Sequence, residues 1–469
     1  MKSYTHISAI EVENFKNIRH GKIDFPSSKN PNAENGKVLG LYGQNGSGKT
    51  AIVQAFKLIQ ALIEGDSFSE DLNSLIFYGE KRSSLKLSFL VVVEDKLLYT
   101  GAYEIVFEKE GDNVYLARES ISYRRGEKGK KTREISYSFD SKNTFLEELG
   151  FSKSNPISED DRIELLVQRK RSEEDKKSFL FSDKFSKIFI QHDRSDELIV
   201  IWSLKKKFCH YAVVISSEEI GYIYSNLFLP VNIHLSNESE LELEGIVGHY
   251  GIDMSKEDEK GLNEPLKISE KKYRVMTKIF DQINFVLPTL IPELTLILKN
   301  HGPATLDDGS EGMWVEFLSQ KGDRILPLYC ESDGVKKIIS ILSVLVALFN
   351  NQDMFVVIDE LDAGIYEFLL GELLVVLNQH GKGQLLFTSH NLRLLEVLDR
   401  ENLSFTTTNE NNRFISFKGL KPTNNIRDVY LRTIQVGGQN EEVYAETDTF
   451  EIRRAFEKAG EIEWGQDYE

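Results

Sequence analysis

The N-terminal part of the chain alternates between short apolar strands and polar connections. Apolar residues recur at alternate positions within 7–25, which predicts strands there, and Val38–Leu41 is a short apolar strand that follows a polar loop. From Thr50 to Glu64 the apolar positions recur with the period of a helix, and a glycine-rich segment joins that helix to the preceding strand. Two further strands are predicted at Leu85–Val93 and Leu97–Phe107.

The pattern changes after residue 107. Residues 108–200 are rich in charge and lack long apolar periodicity, which predicts an insertion of loops and short helices. Acidic residues are interleaved with its basic clusters, so a solvated face explains these clusters better than the alternative, a nucleic-acid surface. The basic clusters are Arg124-Arg125, Lys130-Lys131 and Arg169-Lys170-Arg171. Apolar content returns after residue 200, with a helix predicted at Lys271–Val286 and a strand at Leu294–Leu298.

Beyond residue 310 strands and helices alternate regularly. Strands are predicted at Trp314–Leu318, Met354–Ile358 and Gln384–Thr388, and helices at Val335–Asn350 and Tyr366–His380. This order is typical of the second half of an α/β nucleotide-binding sheet, so we predict an α/β fold class. The predicted segments are two halves of one core at 1–107 and 300–405, an insertion with a helical lobe at 108–299, and a C-terminal extension at 406–469.

Composition narrows the class of protein further. The 469 residues are 41% hydrophobic and 28% charged, which is typical of a globular protein. The net charge of −17 argues against a chain built as a whole to coat nucleic acid. The two cysteines, Cys209 and Cys330, are too few for a disulfide framework and favour a reducing compartment. Since no apolar segment suits a signal peptide or a bilayer span, we expect a cytoplasmic protein that has no membrane partner.

The glycine-rich segment carries the strongest chemical signal. It reads Gly43-Gln44-Asn45-Gly46-Ser47-Gly48-Lys49-Thr50 and lies between a strand and a helix, the context that a phosphate-binding loop requires. Small residues let backbone N–H groups close around phosphates at a helix N-terminus. Lys49 is expected to bridge the β- and γ-phosphates, and Thr50 to offer its hydroxyl to Mg²⁺. We therefore predict that the chain binds and hydrolyses ATP.

Acidic and polar residues at later strand and helix ends complete this chemistry. Asp359 is suited to hold Mg²⁺, and Glu360 is suited to orient or deprotonate the attacking water. A strand that ends in Asp-Glu is common and is weak evidence alone, but it becomes strong evidence together with a glycine-rich loop. His390 ends the next strand, where it is expected to touch the γ-phosphate, with a structural role as the alternative. Ser332 and Gly334 open a predicted helix, as a second anion site or simply as an N-cap.

The order and spacing of these motifs resemble the ABC-type ATPase heads shared by RecF, Rad50 and SMC proteins. The resemblance implies an ABC-type head with a P-loop sheet, a helical signature lobe and a divergent central insertion. It implies that Lys16 and Asn17 lie near the nucleotide and that Asp362 belongs to a D-loop that crosses a dimer interface. In the same comparison Asp359, Glu360 and His390 match the Walker B acid, the catalytic glutamate and the switch histidine.

The resemblance also implies a homo-oligomer of two or more heads. Ser332 and Gly334 match the signature motif, which in that family reaches the γ-phosphate bound by a second subunit. The sequence departs from the family pattern at two motifs. The signature reads Glu-Ser-Asp-Gly-Val rather than Leu-Ser-Gly-Gly-Gln, and Gln191 is the only candidate for the Q-loop glutamine. The absence of coiled-coil arms argues against a complete SMC or Rad50 protein, and the absence of a guanine signature favours ATP over GTP.

The head without arms is most similar to the standalone AAA15/AAA21 ATPases of bacterial anti-phage defence. That similarity includes the divergent insertion and the residues from Asp359 to Tyr366. The size of the chain, with residues 425–430 and 437–439, resembles the ATPase subunit AriA of the PARIS system, with PtuA of the Septu and retron systems second. Such a subunit is a sensor and scaffold for a separate effector nuclease of TOPRIM or HNH type and responds to a phage-derived trigger. Residues after 405 contain no Asp-x-Asp pair suited to two metals, so we expect any nuclease to be another chain.

Two other functions remain as alternatives. A RecF-like repair or recombination ATPase would act directly on DNA, although the charge of −17 and the mixed-sign insertion weaken that interpretation. The ATPase half of a transporter is disfavoured because no membrane-coupling Q-loop or transmembrane segment is recognised. Direct binding of nucleic acid stays open.

Overall fold

The structure is a computed structural model, and it describes most of the chain. The described residues are 3–26, 37–68, 74–111, 113–126, 132–138, 145–151, 157–192, 195–217, 265–417 and 425–460. Within these ranges no helix is both long enough and apolar enough to cross a bilayer.

The described part of the chain contains strands and helices in alternating groups. The strands are β1 (Ser3–Phe15), β2 (Ile18–Asp24), β3 (Val38–Tyr42), β4 (Arg82–Val93), β5 (Lys96–Glu110), β6 (Asn113–Arg125), β7 (Arg133–Ser138), β8 (Ala212–Ile215), β9 (Leu266–Ser269), β10 (Leu294–Thr305), β11 (Glu311–Lys321), β12 (Arg324–Pro327), β13 (Phe355–Ile358), β14 (Gln384–Ser389), β15 (Leu403–Thr406) and β16 (Phe414–Ile415). The helices are α1 (Lys49–Glu64), α2 (Phe145–Glu148), α3 (Glu159–Glu174), α4 (Asp183–Gln191), α5 (Ser195–Tyr211), α6 (Glu270–Leu290), α7 (Asp333–Asn350), α8 (Glu367–His380), α9 (Leu394–Val397), α10 (Ile426–Val436) and α11 (Thr449–Gly460).

A mainly parallel sheet forms the centre of the fold. Its strand order is β16-β15-β3-β14-β13-β8, and only β16 is antiparallel to its neighbour. Every residue of β3, β13 and β14 is buried, because helices cover both faces of such a sheet. Successive residues of β13 alternate between two apolar clusters, one shared with α1 and the other with α7 and α8. The predicted α/β fold class is confirmed.

A second, antiparallel sheet corrects the prediction for the central region. Its order is β2-β1-β4-β5-β6-β7, so residues 113–138 contribute two strands where loops and short helices were expected. The expectation was wrong because each strand of this sheet pairs mostly with its sequence neighbour, and cross-strand pairing can order segments that lack a strong apolar pattern. Helices α3 and α5 are also longer than expected, at 16 and 17 residues. The boundaries of the four predicted segments stay predictions.

A buried carboxylate joins the helical part of this region to the antiparallel sheet. Glu119 of β6 is fully buried and accepts hydrogen bonds from the Tyr103 hydroxyl at 2.7 Å and from the backbone N–H groups of Phe179 and Leu180 at 3.0 and 3.1 Å. Burial raises the pKa of Glu119, and these donors oppose that effect. Such a fully bonded group fixes the segment between α3 and α4 against the sheet.

The rest of the described chain adds a small sheet and the C-terminal helices. Strand β11 pairs with β9, β10 and β12, and α6 packs against β10. The predicted helices at 271–286, 335–350 and 366–380 correspond to α6, α7 and α8, and the predicted strands beyond residue 293 are present as well. Helix α11 has no buried residue, in contrast to α10, which buries Tyr430 and Thr433.

Candidate active site

A cleft of about 1030 Å³ opens where β3 and β13 end, between the glycine-rich segment and the β1–β2 hairpin. Because the strands are parallel, their carboxyl ends meet at one edge of the sheet. Ten of the predicted site residues line the cleft: Lys16, Asn17, Asn45, Gly46, Gly48, Lys49, Thr50, Asp359, Glu360 and His390. The other predicted site residues do not line it, and these are Gly43, Gln44, Ser47, Ser332, Gly334 and Asp362.

The glycine-rich segment has a conformation that its residue types allow. Gly46 and Gly48 have φ values of +74° and +97°, in the left-handed region that favours glycine. At Gly43, a Cβ atom would lie 1.5 Å from the Thr406 hydroxyl oxygen, so close approach excludes a side chain. Gly48 is the N-cap of α1 and has no side chain to accept from the first N–H groups of that helix. Those groups and the helix dipole are suited to an anion at this point.

Lys49 lies folded along the segment that precedes it. Its ammonium group donates to the carbonyl oxygens of Gly43 at 2.9 Å and Gln44 at 3.0 Å, and the side chain is buried. Burial lowers the pKa of Lys49, while the nearby carboxylates of Asp359 and Glu360 oppose this. The cation is therefore held at the entrance to α1 next to the acidic residues.

The β1–β2 turn contacts the glycine-rich segment directly. The Asn17 amide donates to the carbonyl oxygen of Gly46, and Lys16 has a left-handed φ of +53°. The carbonyl oxygen of Asn17 accepts from the Arg413 guanidinium at 2.6 Å, which also donates to Thr407 at 2.7 Å. Sequence reasoning missed Arg413, because it lies in a polar stretch remote from every recognised motif.

Asp359 presents an oxygen atom that suits a metal ion. The residue is fully buried at the end of β13, and one carboxylate oxygen accepts from the Thr388 hydroxyl. The other oxygen, Oδ2, is buried without a hydrogen-bond partner among the described residues. A buried anionic oxygen without a donor is costly unless a cation compensates it, and Mg²⁺ prefers such oxygen ligands. Asp359 and the exposed Thr50 hydroxyl in the same cleft therefore fit Mg²⁺.

Glu360 adopts a strained backbone conformation next to this carboxylate. Its φ is +49°, which is uncommon for a residue other than glycine, and its N–H donates to the Thr388 hydroxyl oxygen at 2.8 Å. The side chain is exposed and lines the cleft. Strained backbone of this kind persists where the surroundings over-determine it, often at functional sites. Here it turns the chain after β13 so that the second carboxylate faces the cleft.

His390 lines the same cleft as Lys49. Its backbone N–H donates to Asp362 at 3.2 Å, which ties the residue after β14 to the residues that follow β13. Desolvation and then the Lys49 charge lower the pKa of His390, while the Asp362, Glu360 and Asp359 carboxylates oppose the shift. A lowered pKa favours the neutral imidazole near neutral pH, where one ring nitrogen donates and the other accepts.

Ser332 and Gly334 lie at the start of α7, outside the cleft of their own chain. Ser332 is an exposed N-cap whose hydroxyl accepts from Val335 N–H at 3.4 Å. A Cβ atom at Gly334 would lie 2.1 Å from the Gly364 carbonyl oxygen, so the helix start packs closely on the segment after Asp362. The predicted signature residues are thus placed beside the predicted D-loop and not beside the glycine-rich segment.

Other predicted features lie apart from the cleft. Gln191, the Q-loop candidate, ends α4 and is not among the lining residues. Arg169 and Lys170 form ion pairs with Glu173 and Glu174 at 3.0 and 3.6 Å. Lys170 is exposed to solvent, whereas the Arg169 side chain is mostly buried and lies over the Tyr137 ring. The cluster Lys130-Lys131 lies outside the described residues.

Lys337 is a residue of this region that the sequence analysis missed. Its buried ammonium donates to the carbonyl oxygens of Glu360 at 2.6 Å and Ala363 at 2.8 Å. Burial lowers the pKa of Lys337 to about 8, although the negative charges of Asp362, Glu360 and Asp359 act to raise it. The available signal was a lysine at the edge of the apolar run that begins at Ile338. The contact joins α7 to the strained turn after β13.

These arrangements define a P-loop site for a phosphate-bearing ligand on an α/β sheet. Residues 38–396 match the AAA_21 family, described as "AAA domain, putative AbiEii toxin, Type IV TA system". The chain belongs to this family, whose match spans the glycine-rich segment, the Asp359-Glu360 pair and His390.

One curated protein and several solved structures are also similar to the chain. A segment of 52 residues is 52% identical to the Septu protein PtuA of Bacillus mycoides (strain KBAB4), covering 11% of this chain and 7% of that protein's length. An Smc head bound to the C-terminal winged-helix domain of ScpA aligns with a TM-score of 0.43 at 14% identity, over 88% of this chain and 97% of that one. The Smc head of Pyrococcus yayanosii aligns with a TM-score of 0.40 at 12% identity, over 92% and 100%. Such low scores mark only a distant resemblance.

The contacts of Lys337 lead to a prediction about stability. Lys337→Met should lower the free energy of unfolding by about 2 kcal/mol, because two partly buried hydrogen bonds to backbone carbonyl oxygens lose their charged donor. Urea denaturation of the purified variant measures this change. The matched control is Lys336→Met, whose ion pair with the exposed Asp333 and long hydrogen bond to the Tyr329 carbonyl oxygen at 3.5 Å are together expected to be worth less than about 1 kcal/mol. Equal losses in the two variants would contradict a special role for Lys337.

Proposed function

We propose that the chain binds ATP with Mg²⁺ in the cleft and hydrolyses it. The observation that carries this proposal is the convergence of an uncapped helix N-terminus, a buried lysine and an unpartnered carboxylate oxygen among the described residues of one cleft. Backbone N–H groups of 45–50 would surround the β- and γ-phosphates, and Lys49 would exchange its carbonyl contacts for phosphate oxygens. Thr50 and Asp359 would hold Mg²⁺, which neutralises charge on the phosphates.

Glu360 and His390 would act on the γ-phosphate end of the nucleotide. Glu360 is an exposed carboxylate that lines the cleft next to Asp359, so it would orient the attacking water and accept its proton. His390 would donate a hydrogen bond to the γ-phosphate, since a neutral ring still offers one N–H group. Lys16 and Asn17 would lie along the same phosphates, with Asn17 fixing the glycine-rich segment through Gly46.

The site would be completed by a second copy of the chain. Ser332 and Gly334 do not line their own cleft, yet Ser332 is exposed at a helix N-terminus, where an anion is favoured. In a symmetric dimer each signature helix would reach the nucleotide of the other chain, and Asp362 would lie at the contact. On this proposal ATP joins two heads, and hydrolysis depends on their assembly.

The biological role we propose is anti-phage defence. The family description names a putative toxin of a toxin–antitoxin system, and the short match is to a Septu protein. The chain would be the sensor and scaffold that restrains or activates a separate effector nuclease until a phage-derived trigger shifts the assembly. Such a trigger must bind the two states of the assembly with different affinities.

The roles of Glu360 and Lys49 can be separated by substitution. Glu360→Gln should retain ATP binding and lower turnover by roughly 100-fold or more, because the proton acceptor is lost. Lys49→Ala should weaken ATP binding itself, because the buried cation next to the phosphates is lost. Phosphate release and equilibrium nucleotide binding measure the two effects.

A matched control for the first substitution is Glu367→Gln. Glu367 is exposed at the start of α8 and does not line the cleft, so its substitution should leave turnover unchanged. Wild-type turnover by Glu360→Gln would show that another group activates the water.

The defence proposal predicts an effect that depends on infection. Expressed with a nuclease encoded beside it, the chain should permit growth of uninfected cells and cause growth arrest after phage infection. Glu360→Gln should alter that response, which a plating assay with and without phage measures. Tight DNA binding by the chain alone, falling steeply between low and physiological salt, would instead support the RecF-like alternative.

A further inference from the structure

A turn on the rim of the cleft is held firmly by the β1–β2 hairpin. The backbone N–H of Phe77 donates to Asn14 at 2.9 Å, and that of Lys16 donates to Leu75 at 2.6 Å. The Arg19 guanidinium donates to Glu80 at 2.8 Å and lies 4.3 Å from the centre of the Phe77 ring. Both sides of the turn are therefore fixed to the hairpin whose tip contacts the glycine-rich segment.

The residue at the tip of this turn is Tyr78, whose exposed fraction is 95%. The turn closes through a hydrogen bond from Glu80 N–H to Phe77 at 3.0 Å, and Gly79 supplies a left-handed φ of +86°. Tyr78 lines the same cleft as the glycine-rich segment. The fold thus holds a large aromatic side chain in water on a rigid support, at a place where a ligand can cover it.

The surroundings of Tyr78 suit the base of a nucleotide. The glycine-rich segment and the acidic residues form the part of the cleft suited to phosphates and metal, whereas Ile76, Phe77 and Tyr78 add apolar and aromatic surface to its lining. Glu360 and His390 mark the γ-phosphate end in the proposed function, so the base must extend away from them. Tyr78 offers such a base a flat ring face that no buried contact occupies.

We propose that Tyr78 stacks on the base of the bound nucleoside triphosphate. This inference rests on the proposed function and adds a base subsite to it. Because every base has a flat π-face, stacking distinguishes a nucleotide from a bare polyphosphate without selecting one base. The turn fixes the backbone that carries the ring, and a tyrosine side chain has only two rotatable angles, so little side-chain entropy is lost when the base binds.

The test compares a nucleotide with a ligand that lacks the base. Calorimetric titrations with Mg²⁺ would use the β,γ-imido analogue of ATP and inorganic tripolyphosphate. Tyr78→Ala should weaken binding of the analogue by roughly 5- to 100-fold and leave tripolyphosphate unchanged, whereas Tyr78→Phe should keep wild-type affinity for both. Phe285→Ala is the control, since Phe285 is 84% exposed and lies outside the cleft lining.

Three results would overturn the inference. They are unchanged binding of the analogue by Tyr78→Ala, an equal loss for the analogue and tripolyphosphate, and a loss in Tyr78→Phe as large as in Tyr78→Ala. The first would show that the ring serves another partner, the second that the turn shapes the phosphate site, and the third that the hydroxyl acts instead of the ring. A wild-type chain that binds neither ligand would contradict the proposed function itself, which separates the two failures.

Discussion

The parallel pairing of β3, β14 and β13 is the constraint on which the site depends. Val38 of β3 pairs with Leu385 of β14, and Gln384 pairs with Phe355 of β13, so the three strands end at one edge. Chain segments that are hundreds of residues apart in sequence therefore meet there. The complete burial of the three strands fixes this register. A shift of β13 by one residue would move each of its side chains from one apolar cluster to the other.

Charge at this edge gives the site its chemistry. Three carboxylates, those of Asp359, Glu360 and Asp362, raise the pKa of both Lys49 and Lys337 against the effect of burial. Lys337 is engaged with the backbone, and Lys49 lies on the carbonyl oxygens of the glycine-rich segment. One oxygen of Asp359 has no donor within the described part of the chain, and a divalent cation there would add the positive charge that the proposed ATP and the acids require.

Local motifs were predictable from the sequence, and their long-range supports were not. The strand, glycine loop and helix at 38–64 follow from periodicity and from residues with special backbone freedom, and the Asp-Glu pair follows from its position after an apolar strand. Arg413, Thr388 and Lys337 act through contacts with residues 23 to 396 positions away, which no local pattern specifies. The strands at 113–125 and 133–138 were missed because pairing with neighbouring strands orders them, and a search for long apolar patterns does not detect that pairing.

The link between Lys337 and the turn after β13 connects α7, which carries the proposed signature residues, with Glu360, the proposed catalytic carboxylate of the same chain. Gly334 packs on Gly364 in the same region. A displacement of α7 would therefore shift the backbone of Glu360, to which Lys337 is hydrogen-bonded. If a second chain binds through α7, the same helix takes part in assembly and supports the backbone of Glu360. Hydrolysis would then depend on assembly, which suits a sensor better than an enzyme that turns over continuously.

Co-expression of two inactive variants tests the central claim that each ATP site uses two chains. A heterodimer of Lys49→Ala and Ser332→Arg keeps one site with an intact glycine-rich segment and an intact signature helix. Each variant alone should be inactive, and the mixture purified through two different tags should regain ATP hydrolysis, up to about half of wild type for a pure heterodimer with independent sites. Wild-type turnover by Ser332→Arg alone, or a mixed assembly that stays inactive, would contradict the account.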